Sequence, residues 1–195
     1  SSAVAAGSQP DVIYLNPDYI AQYADMGALE PLQDRLDASI VDNLRENAVA
    51  GMSYEDELFA LPVLTSVNAT IWNTEVLDEV GIEEIPTTWD EALEIAPALR
   101  DAGKYLTLYN GNPDATMLHA WYPLLWQAGG EVLNEDGTAA AFNDAAGVEA
   151  LELVKTLVDE QFVPADPITT RVVLEQSPFA SGDMAMLYQQ SVGES

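Results

Sequence analysis

Cysteine is absent from the 195 residues. That excludes disulfides, thiolate metal sites and cysteine nucleophiles together, though it does not locate the protein. Basic residues are scarce: six Lys plus Arg stand against 33 Asp plus Glu, for a formal charge of -27. A charge of that size and sign repels nucleic acid and anionic lipid, so neither is an expected partner. The only lysines are Lys104 and Lys155, and the balance resembles that of proteins from salt-loving microbes. There, high ionic strength screens self-repulsion over a few Å. The acids are scattered rather than gathered into a tail, so a solvated surface accounts for them. No apolar run approaches the ~20 residues that a membrane-spanning helix needs. The opening "SSAVAAGSQP" shows no charged segment followed by an apolar one. Both it and the closing "LYQQSVGES" read as arbitrary ends, so a fragment of a longer protein is expected.

What is present can build a core. Hydrophobic residues make up 48% of the chain, too many for a chain disordered by composition. "DVIYL" (11–15) predicts a buried strand. "NPDYIAQYADMG" predicts a helix with Asn16 as N-cap, Pro17 in the first turn and Gly27 as terminator. "SIVDNLRENAVAGM" reads as one more helix. "ELFALPVLTSVNATIW" is strand material broken at Pro62. "NTEVLDEVG" is a short helix capped by Asn73 or Thr74. "PTTWDEALEIAPALRDAG" carries a capping box, Thr88 with Glu91, and an apolar stripe of Trp89, Leu93, Ala96 and Leu99. Pro97 inside it removes one backbone hydrogen bond and predicts a kinked last turn.

Further on, "YLTLY" predicts a strand and "NGNPD" a loop. "ATMLHAWYPLLWQAGG" predicts an apolar helix ended by Gly129 and Gly130. "EVLNEDGTAAAFND" reads as a hairpin turning at Asp136-Gly137. "DAAGVEALELVKTLVDEQ" is an amphipathic helix with Val148, Leu151, Val154, Leu157 and Val158 inward. "RVVLEQSPFASG" reads as a helix and "DMAMLY" as a strand. Helices and strands alternate throughout, an α/β pattern without internal repeats.

Several polar and aromatic residues stand out. Asn16 and Asp18 sit at a strand-to-helix junction, where they can meet ligand hydroxyls or simply cap the helix. From Ser66 to Ile71 the chain alternates: Ser66, Asn68 and Thr70 on one face, Val67, Ala69 and Ile71 on the other. That face can bind hydroxyls or can be a wet strand edge. "NAT" at Asn68 is also a glycosylation sequon. Trp121 and Tyr122 can stack on a sugar ring or pack in a core, and Trp126 reads as core. His119, Asn110 and Asn112 can face a ligand or serve the local structure. Glu131, Glu135 and Asp136 lack the spacing of a calcium loop and read as a solvated turn. No nucleophile elbow supports a Ser/His/Asp enzyme.

Taken in order, "PDVIYLNPDYIAQYADMGALEPL", "LFALPVLTSVNATIWNTEVLDEVGI", "PTTWDEALEIAPALRDAGKY", "LLWQAGGEVL", "GVEALELVKTLVDE" and "FASGDMAML" resemble extracellular solute-binding proteins of ABC transporters. More narrowly, they are similar to the family of maltose-, other sugar- and glycerol-phosphate-binding receptors. The resemblance covers nearly the whole chain. It implies a two-lobed, type II periplasmic-binding-protein-like α/β fold, only partly represented here. Residues 1–66 would be part of the first lobe and 67–195 most of the second, with the crossing near 65–68.

The resemblance further implies a mono- or oligosaccharide held in a cleft between the lobes and delivered to an ABC permease in the membrane. Hinge closure would drive delivery, with no chemistry on the ligand, no cofactor and no metal. It places Thr65 and Ser66 at the ligand, and cleft residues at Gln189 and Gln190 after the last strand. With Asn16, Asp18, Asn110, His119, Trp121 and Tyr122 these make the expected binding set. Many sugar binders place an aromatic near Leu15; here that side of a stacking pair would be missing or shifted to Tyr14. A monomer is expected, outside the cell or in the periplasm, anchored through a segment preceding this one. The alternatives are a two-carboxylate carbohydrate hydrolase and a receptor for glycerol-3-phosphate or a polyamine. Only Arg35, Arg45, Arg100 and Arg171 could clamp a phosphate.

Overall fold

A computed structural model describes residues 2–63, 68–109, 120–164 and 178–191. The chain divides into two compact units, residues 1–66 and 67–195.

Unit 1 is mostly short helices. A single turn, α1, spans Ser2–Ala5. The predicted strand at 11–15 does not form: the segment is irregular, with Val12 86% and Tyr14 72% exposed. A strand needs a neighbour to satisfy its backbone, and no described strand of unit 1 pairs with it. The helix after it does form, as a 3-10 turn over Pro17–Tyr19 running into α2 (Ile20–Asp25). Gly27 ends it with φ +66°, a conformation glycine adopts at no steric cost. The single helix expected after Ser39 is instead two, α3 (Ala38–Asp42) and α4 (Glu46–Gly51). Asn43 donates from its side chain to the Ser39 carbonyl at 2.6 Å, and Arg45 is extended. Asn competes for backbone partners in this way and breaks helices.

A hairpin that sequence reading missed follows. Strands β1 (Ser53–Tyr54) and β2 (Glu57–Leu58) pair antiparallel through the two-residue turn Glu55-Asp56. Both turn residues have positive φ, 49° and 64°, as a type I′ turn demands. Gln33 braces it, donating to the Asp56 carbonyl at 3.2 Å and accepting from Leu58 N–H at 2.9 Å. Among the described residues of this unit, Leu58 and Ile20 are the buried side chains. Because Asp56 occupies a glycine conformation, Asp56→Gly is expected to stabilise unit 1 by about 0.5–1 kcal/mol. A urea titration of the substituted chain checks the sign.

Unit 2 holds the larger core. Strand β3 (Asn68–Trp72) pairs antiparallel with β4 (Met186–Ser191), with an irregularity between Ala69 and Ile71. The alternation read in the sequence holds where side chains are described: Thr70 is exposed, Ala69 and Ile71 partly buried. The last strand starts three residues later than "DMAMLY" suggests, so Gln189 and Gln190 lie within β4 rather than after it. "YLTLY" shrinks to a bridge: Tyr105 N–H donates to Asp183 at 2.9 Å and Met186 N–H donates to Leu106 at 2.8 Å.

Helix α5 (Thr74–Glu79) is capped by the Asn73 side chain, which accepts from Glu75 N–H at 3.1 Å. Helix α6 (Trp89–Asp101) carries the expected capping box and runs through Pro97. Helix α7 (Tyr122–Gln127) and α8 (Ala145–Asp159) complete the unit. The hairpin-like excursion is there, with Leu133 bridged to Ala140 and Gly137 at φ +69°. Of the helix expected over 171–182, residues 178–182 form turns and the rest lies outside the described residues. No described helix is long and apolar enough to cross a membrane.

The main core gathers Val76, Leu77, Ala96, Leu99, Leu106, Leu157, Phe162 and Met186. A second cluster packs Trp121, at the N-cap of α7, and Leu124 and Leu125 of α7 with Ala150 of α8. The expected α8 stripe holds in part: Leu157 is buried and Val154 packs on the second cluster, while Val148, Leu151 and Val158 are exposed. Gly147, Ala150 and Leu157 face inward, while Val148 and Leu151 are more than half exposed. The 3.6-residue period is right, but in the first half of α8 the small residues, not the large ones, lie where neighbours come closest.

The α6 cap has a pH consequence. Glu91 accepts from Thr87 N–H at 2.7 Å, from the Thr87 hydroxyl at 2.9 Å and from Thr88 N–H at 3.2 Å. These bonds, the Thr87 backbone first, hold its carboxyl below the usual range. A lowered folded pKa means the carboxylate's stabilisation is complete above the unfolded value and vanishes as pH falls through the folded one. The stability difference between wild type and Glu91→Gln is therefore expected at neutral pH and lost as pH falls through and below the usual carboxylate range, as read by paired denaturant titrations.

Candidate functional site

In unit 1 the candidate residues sit on the turn that starts α2. Asn16 occupies the N-cap position, extended at φ −70° and ψ 144°, yet its side chain makes no capping bond. Its carbonyl accepts from Tyr19 N–H at 3.1 Å. Asn16 and Asp18 are both exposed. Asn16 is thus not spent on the helix, and the two polar groups stand in solvent beside exposed Tyr14.

In unit 2 two adjacent candidates, Trp121 and Tyr122, sit at the start of α7. Trp121 is 4% exposed, edge-on to Phe142 at 5.6 Å and 87°, inside the second core cluster. Its indole Nε1 is buried without a hydrogen-bond partner among the described residues. Tyr122 is half-buried, its ring 5.8 Å from that of Trp126. Trp126, read in the sequence as core, is instead 47% exposed. The four-residue spacing puts Tyr122 and Trp126 on one face, and that face is the open one. Core packing takes the face of Trp121, Leu124 and Leu125.

Thr65, Ser66, Asn110 and His119 lie outside the described residues, as does Asn112. Gln189 is placed by its backbone in β4. Glu131, Glu135 and Asp136 are exposed at a turn, as expected. Asp136 accepts from the Thr138 hydroxyl at 2.6 Å, and that bond lowers its pKa. Among the described residues no group of three His, Cys, Asp or Glu is placed to hold a metal.

Sequence reading missed a cavity of about 370 Å³ in unit 2, lined among others by Thr70, Trp72, Thr87, Thr88, Trp89 and Gln127. Of these, sequence reading gave only Thr70 a possible ligand-facing role, through its strand alternation; Thr88 and Trp89 read as a helix cap and a core stripe. The others are spread over β3, the α6 cap and the end of α7, so nothing in sequence order joins them.

The described fold is part of the type II periplasmic-binding-protein architecture, as solved structures show. An ABC-transporter solute-binding protein from Thermotoga lettingae matches it with TM-score 0.82 and 24% identity, over 95% of this chain and 49% of that one. The cyclic alpha-maltosyl-1,6-maltose binding protein of Arthrobacter globiformis matches at TM-score 0.77 and 26% identity, over 97% and 48%. The maltotriose-binding protein of Pyrococcus abyssi is 28% identical over 93 residues, 48% of this chain and 19% of that protein. A Brucella abortus relative is 24% identical over 188 residues, 94% of this chain and 45% of its own length. The chain therefore spans about half the length of its longer-matching relatives. The family model of bacterial extracellular solute-binding proteins matches residues 1–193, and the chain belongs to that family.

Proposed function

We propose that the protein carrying this chain binds a mono- or oligosaccharide outside the cell or in the periplasm and hands it to an ABC permease. The observation that carries this is the family match over residues 1–193. Sugar-binding relatives support the ligand class: the Arthrobacter receptor, and the GacH receptor of Streptomyces glaucescens in complex with acarbose, 26% identical over 95% of this chain. Residues 1–66 belong on this reading to the first lobe and 67–195 to the second. The ligand is contacted by Asn16, Asp18, Thr65, Ser66, Asn110, His119 and Gln189. Of the two adjacent aromatics, Tyr122 has surface to offer and Trp121 does not.

A phosphate ligand finds little support. Lys104 is held by Glu79 at 2.6 Å and by the Gly182 carbonyl at 2.8 Å. Arg100 is held by Glu160 at 3.1 Å and lies over the Phe162 ring. A receptor releases its ligand unchanged, whereas a hydrolase does not. Equilibrium dialysis against maltotriose, followed by chromatography of the released sugar, is expected to return intact trisaccharide. Recovery of glucose or maltose would point to the hydrolase.

A further inference from the structure

We infer that the cavity of unit 2 is a binding site for one neutral, hydroxylated ring, such as a single sugar residue, with Trp72 and Trp89 as its walls. The inference stands on the cavity itself and not on the functional reading above. At about 370 Å³ it lies at the small end of ligand pockets, which run from about 300 to 1,000 Å³, so it suits a ring and not a long chain.

Its construction is specific. Thr70 and Trp72 are two residues apart on β3 and so share one face of the strand. Trp89 is the first residue of α6, fixed in place by the capping box behind it. Gln127 closes α7, and its Oε1 accepts from Trp89 Nε1 at 2.9 Å. That bond commits the amide oxygen to the indole and leaves the Gln127 NH₂ as the group to offer a ligand. Thr87 and Thr88 line the rim, but their hydroxyls are engaged with Glu91 and the helix cap. The polar groups left for a ligand are therefore the Thr70 hydroxyl and the Gln127 amide, beside two indoles. Indole faces take the C–H face of a sugar ring, and an amide and a hydroxyl take its edge.

Charge narrows the ligand further. The chain carries 33 acidic residues, yet every residue lining the cavity is uncharged. No base is there to hold an anion, and Glu91, bonded just behind the rim, repels one. A neutral ring is the class that remains.

The test uses the full chain labelled with ¹⁵N and follows the four tryptophan indole N–H signals. The probes are D-glucose, D-galactose and D-xylose, with D-glucuronate as the charged control. Saturable shifts of the Trp72 and Trp89 signals are expected with at least one neutral sugar, at Kd on the order of millimolar. The Trp126 signal should stay in place, and glucuronate should bind at least ~10-fold more weakly. Gln127→Ala and Thr70→Val alter exposed residues, so both should fold normally; each should weaken binding by about 5-fold or more. Two results would overturn the site. One is Trp72 and Trp89 signals that hold still at ~100 mM of every neutral sugar. The other is binding that survives Gln127→Ala and Thr70→Val unchanged.

Discussion

Gly147→Ala is expected to destabilise the protein by about 2–3 kcal/mol, although it replaces glycine by the best helix former inside a helix. Propensity alone argues for a gain of up to ~1 kcal/mol. The surroundings reverse the sign. Asp144 caps α8, and the third helical residue, Gly147, donates its N–H to the Asp144 carboxylate at 2.9 Å. The chain arrives along Phe142, and a Cβ on Gly147 would run into the Phe142 backbone carbonyl oxygen. Backbone cannot rotate away as a side chain can, so the cap or the approach of 142 must shift. That region also carries Phe142, which braces Trp121, and Ala150, which seats α7. At roughly 2–4 °C per kcal/mol for a chain of this size, the midpoint should fall by about 5–10 °C. Gly51→Ala supplies the contrast. A Cβ there meets nothing, and the substitution is expected to be neutral or to stabilise by up to ~1 kcal/mol. If Gly147→Ala instead raised the midpoint, the packing at the start of α8 would be wrong.

Salt is expected to raise the unfolding midpoint by on the order of 10 °C between 0.1 and 1 M NaCl, with most of the rise below ~0.5 M. The cause is the charge of -27 on 195 residues. Four of the six bases are already paired locally: Arg35 with Glu30, Arg100 with Glu160, Lys104 with Glu79 and Lys155 with Asp159. Such exposed pairs contribute little, and they leave the rest of the acids repelling one another. The screening length falls from about 10 Å at 0.1 M to about 3 Å at 1 M, which removes most of that repulsion. Screening saturates; exclusion of salt from apolar surface does not. A midpoint that climbs linearly up to several molar would assign the effect to exclusion instead. A flat midpoint would mean that the acids do not strain the fold.

The capped helices were legible in the sequence because their signals are local. Thr88 with Glu91, Asn73 before α5 and Gly137 in its turn each act within four residues. Strands were less legible because a strand is defined by its partner. "DVIYL" has the right side chains and no described partner in unit 1, while β4 starts later than its apolar run. The first half of α8 was misread because hydrophobicity ranked Val148 and Leu151 above Gly147 and Ala150. Close packing against α7 and Phe142 favoured the small residues. The same limit hid the cavity, since Trp72, Trp89 and Gln127 meet only through the fold. For the candidate binding set, the structure separated Tyr122 from Trp121 by burial, a distinction that adjacency in sequence cannot make.

The most direct test of the receptor reading is a thermal unfolding scan of the protein carrying this chain, in concentrated salt, with a panel of sugars, polyols and polyamines. A ligand at ~100 times its Kd adds about 2.7 kcal/mol and lifts the midpoint by several degrees. The account predicts that lift with at least one mono- or oligosaccharide and none with polyamines or glycerol-3-phosphate. A lift confined to a polyamine or a phosphate ester, with every sugar silent, would contradict it.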